Sequence, residues 1–170
     1  RVLFRSAIKC NGTLTDLRLS GNKIGDAGAS FLADAVQVNA NLKMILLAGG
    51  SIGDAGATSL AEALKCNKTL KDLGLHDNDI GDSGTTALAA ALECNNSLER
   101  LDLSSNKITD RGALALSNSL KSNTILKELY LARNSIGYRG VNVLADEAKG
   151  STTLTKLHLS GNRDAAAVVR

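Results

Sequence analysis

Several residue types are rare or absent in this chain of 170 residues. Proline and tryptophan are missing, and only two histidines and three cysteines are present. No apolar run approaches the ~20 residues that a membrane-spanning helix requires, and the N-terminal segment RVLFRSAIKC is too short and too charged for a signal peptide. These absences favour a compact cytoplasmic module without a membrane partner.

The chain also lacks a strong charge of either sign. Its 20 basic and 17 acidic residues give a formal net charge of +3, and the basic residues form no continuous block. Nucleic acids and anionic membrane surfaces attract proteins through clustered lysine and arginine. We therefore expect neither of them to be a partner of this protein.

What the chain does have is an internal repeat of constant length. Equal steps from Leu70 in both directions reach Leu14, Leu42, Leu98, Leu126 and Leu154, without an insertion to break the period. A fixed period in this range is typical of a solenoid, whose units are stable only when stacked on their neighbours. We predict a single domain over 1–170, which we expect to be a fragment of a longer array. It would contain a partial repeat over 1–13, repeats starting at 14, 42, 70, 98 and 126, and a partial terminal repeat over 154–170.

Each repeat is predicted to contain one strand and one helix. Leu73 and Leu75 alternate with other residues, which is typical of a strand with one buried face. Leu88 and Leu92 lie at helical spacing behind Asp82. Asp82 is the predicted N-cap, because its carboxylate can accept a hydrogen bond from a free amide of the first helical turn.

The spacing of the two elements predicts a curved stack. Strands in a sheet lie ~4.8 Å apart and packed helices ~8 to 10 Å apart, so the sheet is expected on the inside of the curve. All strands are predicted to be parallel, near 16–19, 44–47, 72–75, 100–103, 128–131 and 156–159. The predicted helices span 27–37, 55–65, 83–93, 111–121 and 139–149.

Two kinds of asparagine recur in the repeats. The first kind follows each strand, and its amides are predicted to form an internal ladder that satisfies backbone groups of the turn. These residues are Asn22, Asn78, Asn106, Asn134 and Asn162. Repeat two has Gly50 instead, so its turn is predicted to be the loosest. The second kind, such as Asn95, follows each helix, where asparagine tolerates the left-handed conformation that ends helices.

The cysteines and glycines do not form a recognisable chemical motif. Cys10, Cys66 and Cys94 each precede the asparagine that ends a helix. Because neighbouring helices lie ~8 to 10 Å apart and a disulfide requires α-carbons within ~7 Å, we expect no disulfide. There is no C-x-x-C pair for zinc and no G-x-x-x-x-G-K-[ST] motif for phosphate. No metal, cofactor or small-molecule substrate is therefore predicted.

The repeats match a known sequence pattern. The pattern L-x-x-L-x-L-x-x-N-x-I is matched by LTDLRLSGNKI from Leu14, LKDLGLHDNDI from Leu70, LERLDLSSNKI from Leu98 and LKELYLARNSI from Leu126. With turns such as GD-x-G and helices rich in leucine and alanine, they resemble leucine-rich repeats of the ribonuclease-inhibitor type, similar to those of NOD-like receptors, Ran GTPase-activating proteins and tropomodulin. The resemblance implies an α/β solenoid, a horseshoe with a parallel β-sheet on its concave face and α-helices on its convex face.

The strand positions that face away from the core are predicted to bind a partner. These positions vary between repeats while the core positions do not, and alternation along each strand directs them to the open face of the sheet. The surface is expected to centre on repeats three to five, where Tyr130 is the only strand-face aromatic residue. The predicted partner-binding residues are Arg18, Met44, Leu46, Asp72, His76, Arg100, Asp102, Glu128, Tyr130, Arg133, Lys156 and His158.

Two classes of function follow from the resemblance. The first is a protein–protein interaction module or scaffold that holds a protein partner on the concave face. The second is a GTPase-activating protein resembling the Ran-activating family. No nucleophile, base and orienting group fall together on the predicted face, so the sequence favours the binding module over an enzyme. A GTP-hydrolysis assay with a panel of GTPases would discriminate between the two classes.

Overall fold

The computed structural model describes residues 2–163, with side chains from residue 6 onward. Six helices and six strands alternate along this part of the chain. The strands are β1 (Asp16–Arg18), β2 (Met44–Leu46), β3 (Asp72–Gly74), β4 (Arg100–Asp102), β5 (Glu128–Tyr130) and β6 (Lys156–His158). The helices are α1 (Val2–Cys10), α2 (Gly25–Val36), α3 (Asp54–Cys66), α4 (Asp82–Leu92), α5 (Asp110–Leu120) and α6 (Tyr138–Gly150). The predicted helices and strands agree with these bounds to within two residues.

The strands form one parallel sheet in which sequence order is also spatial order, from β1 to β6. The register follows the repeat, so that Asp72 lies beside Met44 on one side and Arg100 on the other. Residues one repeat apart in the sequence are therefore neighbours in the sheet. The predictions of parallel strands and of an α/β solenoid with the sheet on its concave face are confirmed.

The core lies between the sheet and the helices. Leu73, Leu75, Leu101 and Leu103 are at most 1% exposed, and the helix residues that face them are buried as well. Strand leucines in the outermost repeats, such as Leu157, are only partly buried because they lack a neighbouring repeat on one side among the described residues. The predicted core is confirmed, and it is continuous from repeat to repeat.

The asparagine ladder that follows the strands is present. The Asn78 side-chain amide donates to the backbone oxygens of Leu47 and Leu75, both at 3.0 Å. Its oxygen accepts from the backbone amides of Gly50 at 3.0 Å and Ile52 at 2.9 Å. One buried side chain thus joins the turns of two consecutive repeats, which confirms the predicted ladder.

Gly50 interrupts this ladder and changes the turns on both sides of the gap. The amide of Ile24, which an asparagine at position 50 would bind, instead donates to Asn22 O at 2.8 Å within its own turn. Ser51 has a φ of 54° and Gly25 a φ of 61°, whereas the equivalent residues of the later repeats have no positive φ. The turn of repeat two is therefore irregular, because position 50 has no side-chain carboxamide to bind the neighbouring backbone groups. That this turn is also the loosest stays a prediction.

We expect Gly50→Asn to raise the free energy of unfolding by about 1 kcal/mol. The restored carboxamide would add hydrogen bonds at a buried position, and the crowding of the added Cβ would offset part of their contribution. That Cβ would lie 3.0 Å from Leu47 O. Urea denaturation followed by circular dichroism would measure the change. Gly50→Ala is the matched control, since it adds the Cβ without the carboxamide. A gain from the alanine variant equal to that from the asparagine variant would contradict the explanation.

Asp82 does not cap its own helix, contrary to the prediction. It is the first residue of α4, whose N-cap is Gly81 without a side-chain bond. Its carboxylate accepts from the backbone amides of Thr109 and Gly112, both at 2.9 Å, and from the Thr109 hydroxyl. Burial raises the pKa of Asp82, but these hydrogen bonds outweigh it and hold the pKa below its ordinary value. Each such aspartate therefore caps the helix of the next repeat.

The prediction for Asn95 is also wrong in its local detail. Asn95 is not among the described residues with positive φ, and the equivalent Asn67 is extended, with φ −71° and ψ 132°. The Asn95 amide instead donates to Leu64 O at 2.6 Å, in the preceding repeat. A second asparagine ladder, at the ends of the helices, therefore links the repeats.

The segment 164–170 of the predicted terminal repeat lies outside the described residues. Within residues 2–163, none of the helices has the length and apolar character needed to span a bilayer.

Candidate functional site

The register of the sheet arranges ten of the twelve predicted partner-binding residues in two rows on the concave face, which Asp16 and Gly74 complete. The first row consists of Asp16, Met44, Asp72, Arg100, Glu128 and Lys156. The second row consists of Arg18, Leu46, Gly74, Asp102, Tyr130 and His158. Because side chains two residues apart on a strand share a face, both rows lie on the surface opposite the core. We call this surface the concave face.

Arg100 is the centre of the concave face. Its guanidinium contacts Asp72 at 3.0 Å, Asp102 at 3.3 Å and Glu128 at 3.5 Å. The guanidinium carbon also lies 4.7 Å from the centre of the Tyr130 ring, in a cation–π arrangement. Three strands thus contribute to the contacts of one arginine, which holds its side chain in a defined position.

Tyr130 extends this network toward the last strand. Its hydroxyl donates to Glu128 at 2.7 Å, and its ring lies 4.8 Å from the ring of His158 at an angle of 54°. Lys156 also binds Glu128, at 3.0 Å. Tyr130 therefore has fixed neighbours on both sides, and its ring is only partly exposed.

Asp102 and His76 extend the network toward the carboxyl ends of the strands. Asp102 is only 9% exposed, and its carboxylate accepts from the backbone amide of Ser104 at 3.0 Å. His76 Nδ1 lies 3.7 Å from the same carboxylate, while the imidazole itself is exposed. Asp102 is thus both a structural acceptor and a neighbour of two basic side chains.

Burial and pairing shift the pKa values of the acidic residues in opposite directions. Burial raises the pKa of the Asp72 carboxyl, and the Arg100 guanidinium only partly counteracts it. Hydrogen bonds from Tyr130 and Lys156 lower the pKa of Glu128. The ionised form is thus favoured for Glu128 and disfavoured for Asp72 by their surroundings.

Four predicted residues lie outside this network. Met44 and Leu46 are half-buried and provide apolar surface beside it, while Arg18 is exposed on the first strand. Leu46 extends over Gly74, where a Cβ would lie 2.7 Å from the leucine side chain. Arg133 is exposed in the turn after β5 with a φ of 55°, so it rims the concave face and does not join the paired charges among the described residues.

A third row of charges was not predicted from the sequence. Glu99 binds Lys71 at 3.0 Å and Lys127 at 2.6 Å, at the edge where the strands begin. Together with Asp72, Arg100 and Glu128 these residues line a shallow depression of about 270 Å³. The signal was available, because Lys71, Glu99 and Lys127 occupy the same position in three consecutive repeats.

The concave face consists chiefly of paired charges. Its acidic and basic groups contact each other, and among the residues that the structure describes there, no nucleophile lies beside a base and an orienting group. Within the described residues, no group of three or more His, Cys, Asp or Glu side chains is placed to hold a metal ion. Cys10, Cys66 and Cys94 are free and exposed.

The alternating strands and helices, joined by the two asparagine ladders, make this protein an α/β solenoid, the class of protein in which similar units stack on one another. A family model for the leucine-rich repeat matches residues 10–33, 66–89, 94–117, 122–145 and 150–163. The chain belongs to the leucine-rich repeat family, and its repeats are of the ribonuclease-inhibitor-like type. The matched residues omit most of repeat two, which carries the irregular turn at Gly50.

Solved structures share this fold. One is described as leiomodin-1 actin-binding site 2; it is 22% identical, with a TM-score of 0.66 over 86% of this chain and 88% of that one. Another is the C-terminal domain of tropomodulin from Caenorhabditis elegans, which is 12% identical, with a TM-score of 0.73 over 85% of this chain and 89% of that one. Comparison with curated proteins gives no match.

Proposed function

We propose that this protein is a protein–protein interaction module or scaffold whose concave face binds a protein partner. The observation that carries the proposal is the pair of side-chain rows on the sheet. Core positions stay apolar and the ladder positions are asparagine in most repeats, whereas the two rows combine apolar, aromatic and charged residues. Folding does not require that combination, so a binding role explains it.

The contacts within the rows support this role. Arg100 and Tyr130 are already held by neighbouring side chains, so little rotamer freedom remains to be lost when a partner binds. Pairing across strands alone would account for the charges, but not for the half-exposed apolar side chains of Met44 and Leu46. Apolar area on a polar surface is typical of interaction sites.

Actin is the first partner to test, because the leiomodin-1 structure with the same fold is described as an actin-binding site. The low identity makes actin a probe for this proposal and leaves other protein partners open. A cytoplasmic location is part of the proposal and would be tested by tagging the protein in its source cell. Nucleic acid, membranes and small-molecule substrates are not proposed as partners.

Activation of a GTPase remains the alternative function, and the proposal includes no enzymatic activity. The concave face lacks a convergent catalytic group, yet a repeat array can also position a GTPase for catalysis. A hydrolysis assay with a panel of purified GTPases tests this alternative. Stimulated GTP turnover would contradict a function in binding alone.

Tyr130→Ala combined with Asp102→Asn is expected to weaken partner binding by on the order of 2 kcal/mol, because it removes an aromatic contact and a charge from the centre of the surface. Asparagine keeps an acceptor for the Ser104 amide, so the fold should be retained. Sedimentation with actin, followed by capture from lysate of the source cell, would measure binding.

Lys121→Glu on the exposed convex side provides the matched control for this experiment. This substitution reverses the charge of one side chain and leaves the concave face unaltered. The double variant is expected to bind the partner more weakly than this control does. Unchanged binding by the double variant together with lost binding by Lys121→Glu would place the working surface on the helices.

A further inference from the structure

A second candidate surface lies on the convex side, between the N-terminal halves of α5 and α6. It is a groove of about 490 Å³ lined chiefly by Arg111, Leu114, Tyr138, Arg139 and Val143. Leu114 is 50% exposed and Tyr138 is 55% exposed. We call this surface the convex groove, and it shares no lining residue with the concave face.

The apolar residues of the convex groove depart from the repeat. The position of Leu114 holds a polar residue in α2, α3, α4 and α6, namely Ser30, Thr58, Thr86 and Asn142. The position of Tyr138 holds the capping aspartate in the earlier repeats: Asp26, Asp54, Asp82 and Asp110. Because polar residues satisfy both positions elsewhere in the same fold, folding does not require leucine and tyrosine here.

Two arginines flank these apolar side chains. Arg111 and Arg139 occupy a position that holds small residues in the earlier helices, namely Ala27, Ala55 and Ser83. Neither arginine forms an ion pair within 4 Å with another residue of the described range 6–163. Arg111 contributes only a minor long-range effect to the lowered pKa of Asp82.

Asp110, the one acidic residue that lines the groove, forms no ion pair with Arg111 or Arg139. The Asp110 carboxylate accepts from the backbone amides of Gly137 at 2.7 Å and Gly140 at 2.9 Å, in the capping arrangement found throughout the array. The convex groove therefore combines an apolar floor with two cations that lack a close acidic partner among the described residues.

We propose that the convex groove binds a short segment of a partner protein in which apolar side chains are flanked by carboxylates. The apolar side chains would contact Leu114, Tyr138 and Val143, and the carboxylates would pair with the two arginines. The groove is lined by eight residues, whereas a stable interface with a second copy of the chain would involve roughly 20 to 30 residues on each subunit. Its size therefore favours a short peptide over self-association.

The probe for this proposal is a fluorescein-labelled peptide of sequence EELLEE, measured by fluorescence anisotropy and by amide chemical shifts of the isotope-labelled protein. Saturable binding is expected, with shifts confined to α5 and α6. Leu114→Thr should weaken binding about tenfold or more, as the loss of a central apolar contact does. Arg111→Ser combined with Arg139→Ala should weaken it to a similar degree.

The substitutions introduce residue types that the same positions carry in other repeats, so the fold is expected to persist. In those repeats, the Thr58 and Thr86 hydroxyls donate to their own helix backbone. Tyr130→Ala should leave peptide binding unchanged, which separates this site from the proposed function of the concave face. The peptide KKLLKK should bind at least tenfold more weakly than EELLEE.

Three results would overturn the proposal. The first is the absence of saturable binding up to about 1 mM peptide, which corresponds to a very weak association. The second is equal binding of the EELLEE and KKLLKK peptides, or binding unaffected by Leu114→Thr. The third is a dimer in sedimentation analysis that Leu114→Thr converts to a monomer, because a second copy of the chain would then occupy the groove.

Discussion

Replacing Leu103 by alanine is expected to lower the free energy of unfolding by about 2 to 5 kcal/mol, through lost burial and the cavity left behind. Leu103 is 0% exposed and lies between Leu75 and Leu131, which are equally buried in the adjoining repeats. The ladder residues on both sides fix the backbone around it, so the cavity has little opportunity to collapse. Urea denaturation followed by circular dichroism would measure the loss.

Leu114→Ala is the matched control for this experiment, since it removes the same atoms from a leucine that is 50% exposed. Its effect is expected to stay within about 0.5 kcal/mol, as is usual for surface substitutions. A loss below about half a kilocalorie for Leu103→Ala would mean that this side chain does not fill the core. Equal losses from the two variants would lead to the same conclusion.

The architecture could be predicted from the sequence because its strongest signals are periodic. The strand alternation at Leu73 and Leu75 and the helical spacing of Leu88 and Leu92 recur from repeat to repeat at a constant interval. One slip in register would have moved every buried leucine to the other face of the sheet. The repeat therefore determined strand order, parallel pairing and the identity of the core at the same time.

The partners of the polar residues were less predictable. Asp82 and Asn95 were correctly associated with the ends of a helix, but the Asp82 carboxylate and the Asn95 side-chain amide bind backbone groups of other repeats. Capping preferences describe which residue types suit a helix end, and they do not tell which of several nearby amides the side chain will bind. Here the aspartate lies within reach of the next helix, so stacking geometry decides the partner.

The repeat spacing predicted which strand residues share the open face of the sheet, but not the contacts among them, and partner binding by this face stays a prediction. The repeat spacing placed Asp72, Arg100 and Glu128 side by side, since equivalent residues of consecutive repeats are neighbours in the sheet. It could not show that one guanidinium would contact three carboxylates, because that depends on rotamers and on the tilt of adjoining strands. The network also omits Arg133, whose backbone turns away from the strand with positive φ.

The convex groove was overlooked for a different reason. The predicted surface rests on variable strand positions, whereas the groove is formed by helix positions, at which the same comparison between repeats identifies Leu114 and Tyr138. In a repeat protein, the stacking of the repeats explains residues that recur at equivalent positions. A residue that differs from its equivalents needs another, local explanation. Such departures are informative on either face of the solenoid.

Asn95→Ala is expected to lower the free energy of unfolding by about 3 kcal/mol, because it leaves several buried backbone groups without a partner. The Asn95 amide donates to Leu64 O at 2.6 Å and to Asn67 O at 3.1 Å. Its oxygen accepts from the amides of Ser97 at 2.9 Å and Leu98 at 2.8 Å. Since Asn95 is only 1% exposed, water has little access to replace these bonds.

Asn96→Ala provides the control for this prediction, because the neighbouring asparagine is exposed and its truncation should change stability by no more than about 0.5 kcal/mol. Urea denaturation would compare the two variants, and hydrogen exchange would follow the amides of Ser97 and Leu98. Both amides should exchange faster in Asn95→Ala, because the acceptor that protects them is gone. Unchanged exchange at these amides, with equal stability of the two variants, would show that Asn95 does not hold the repeats together.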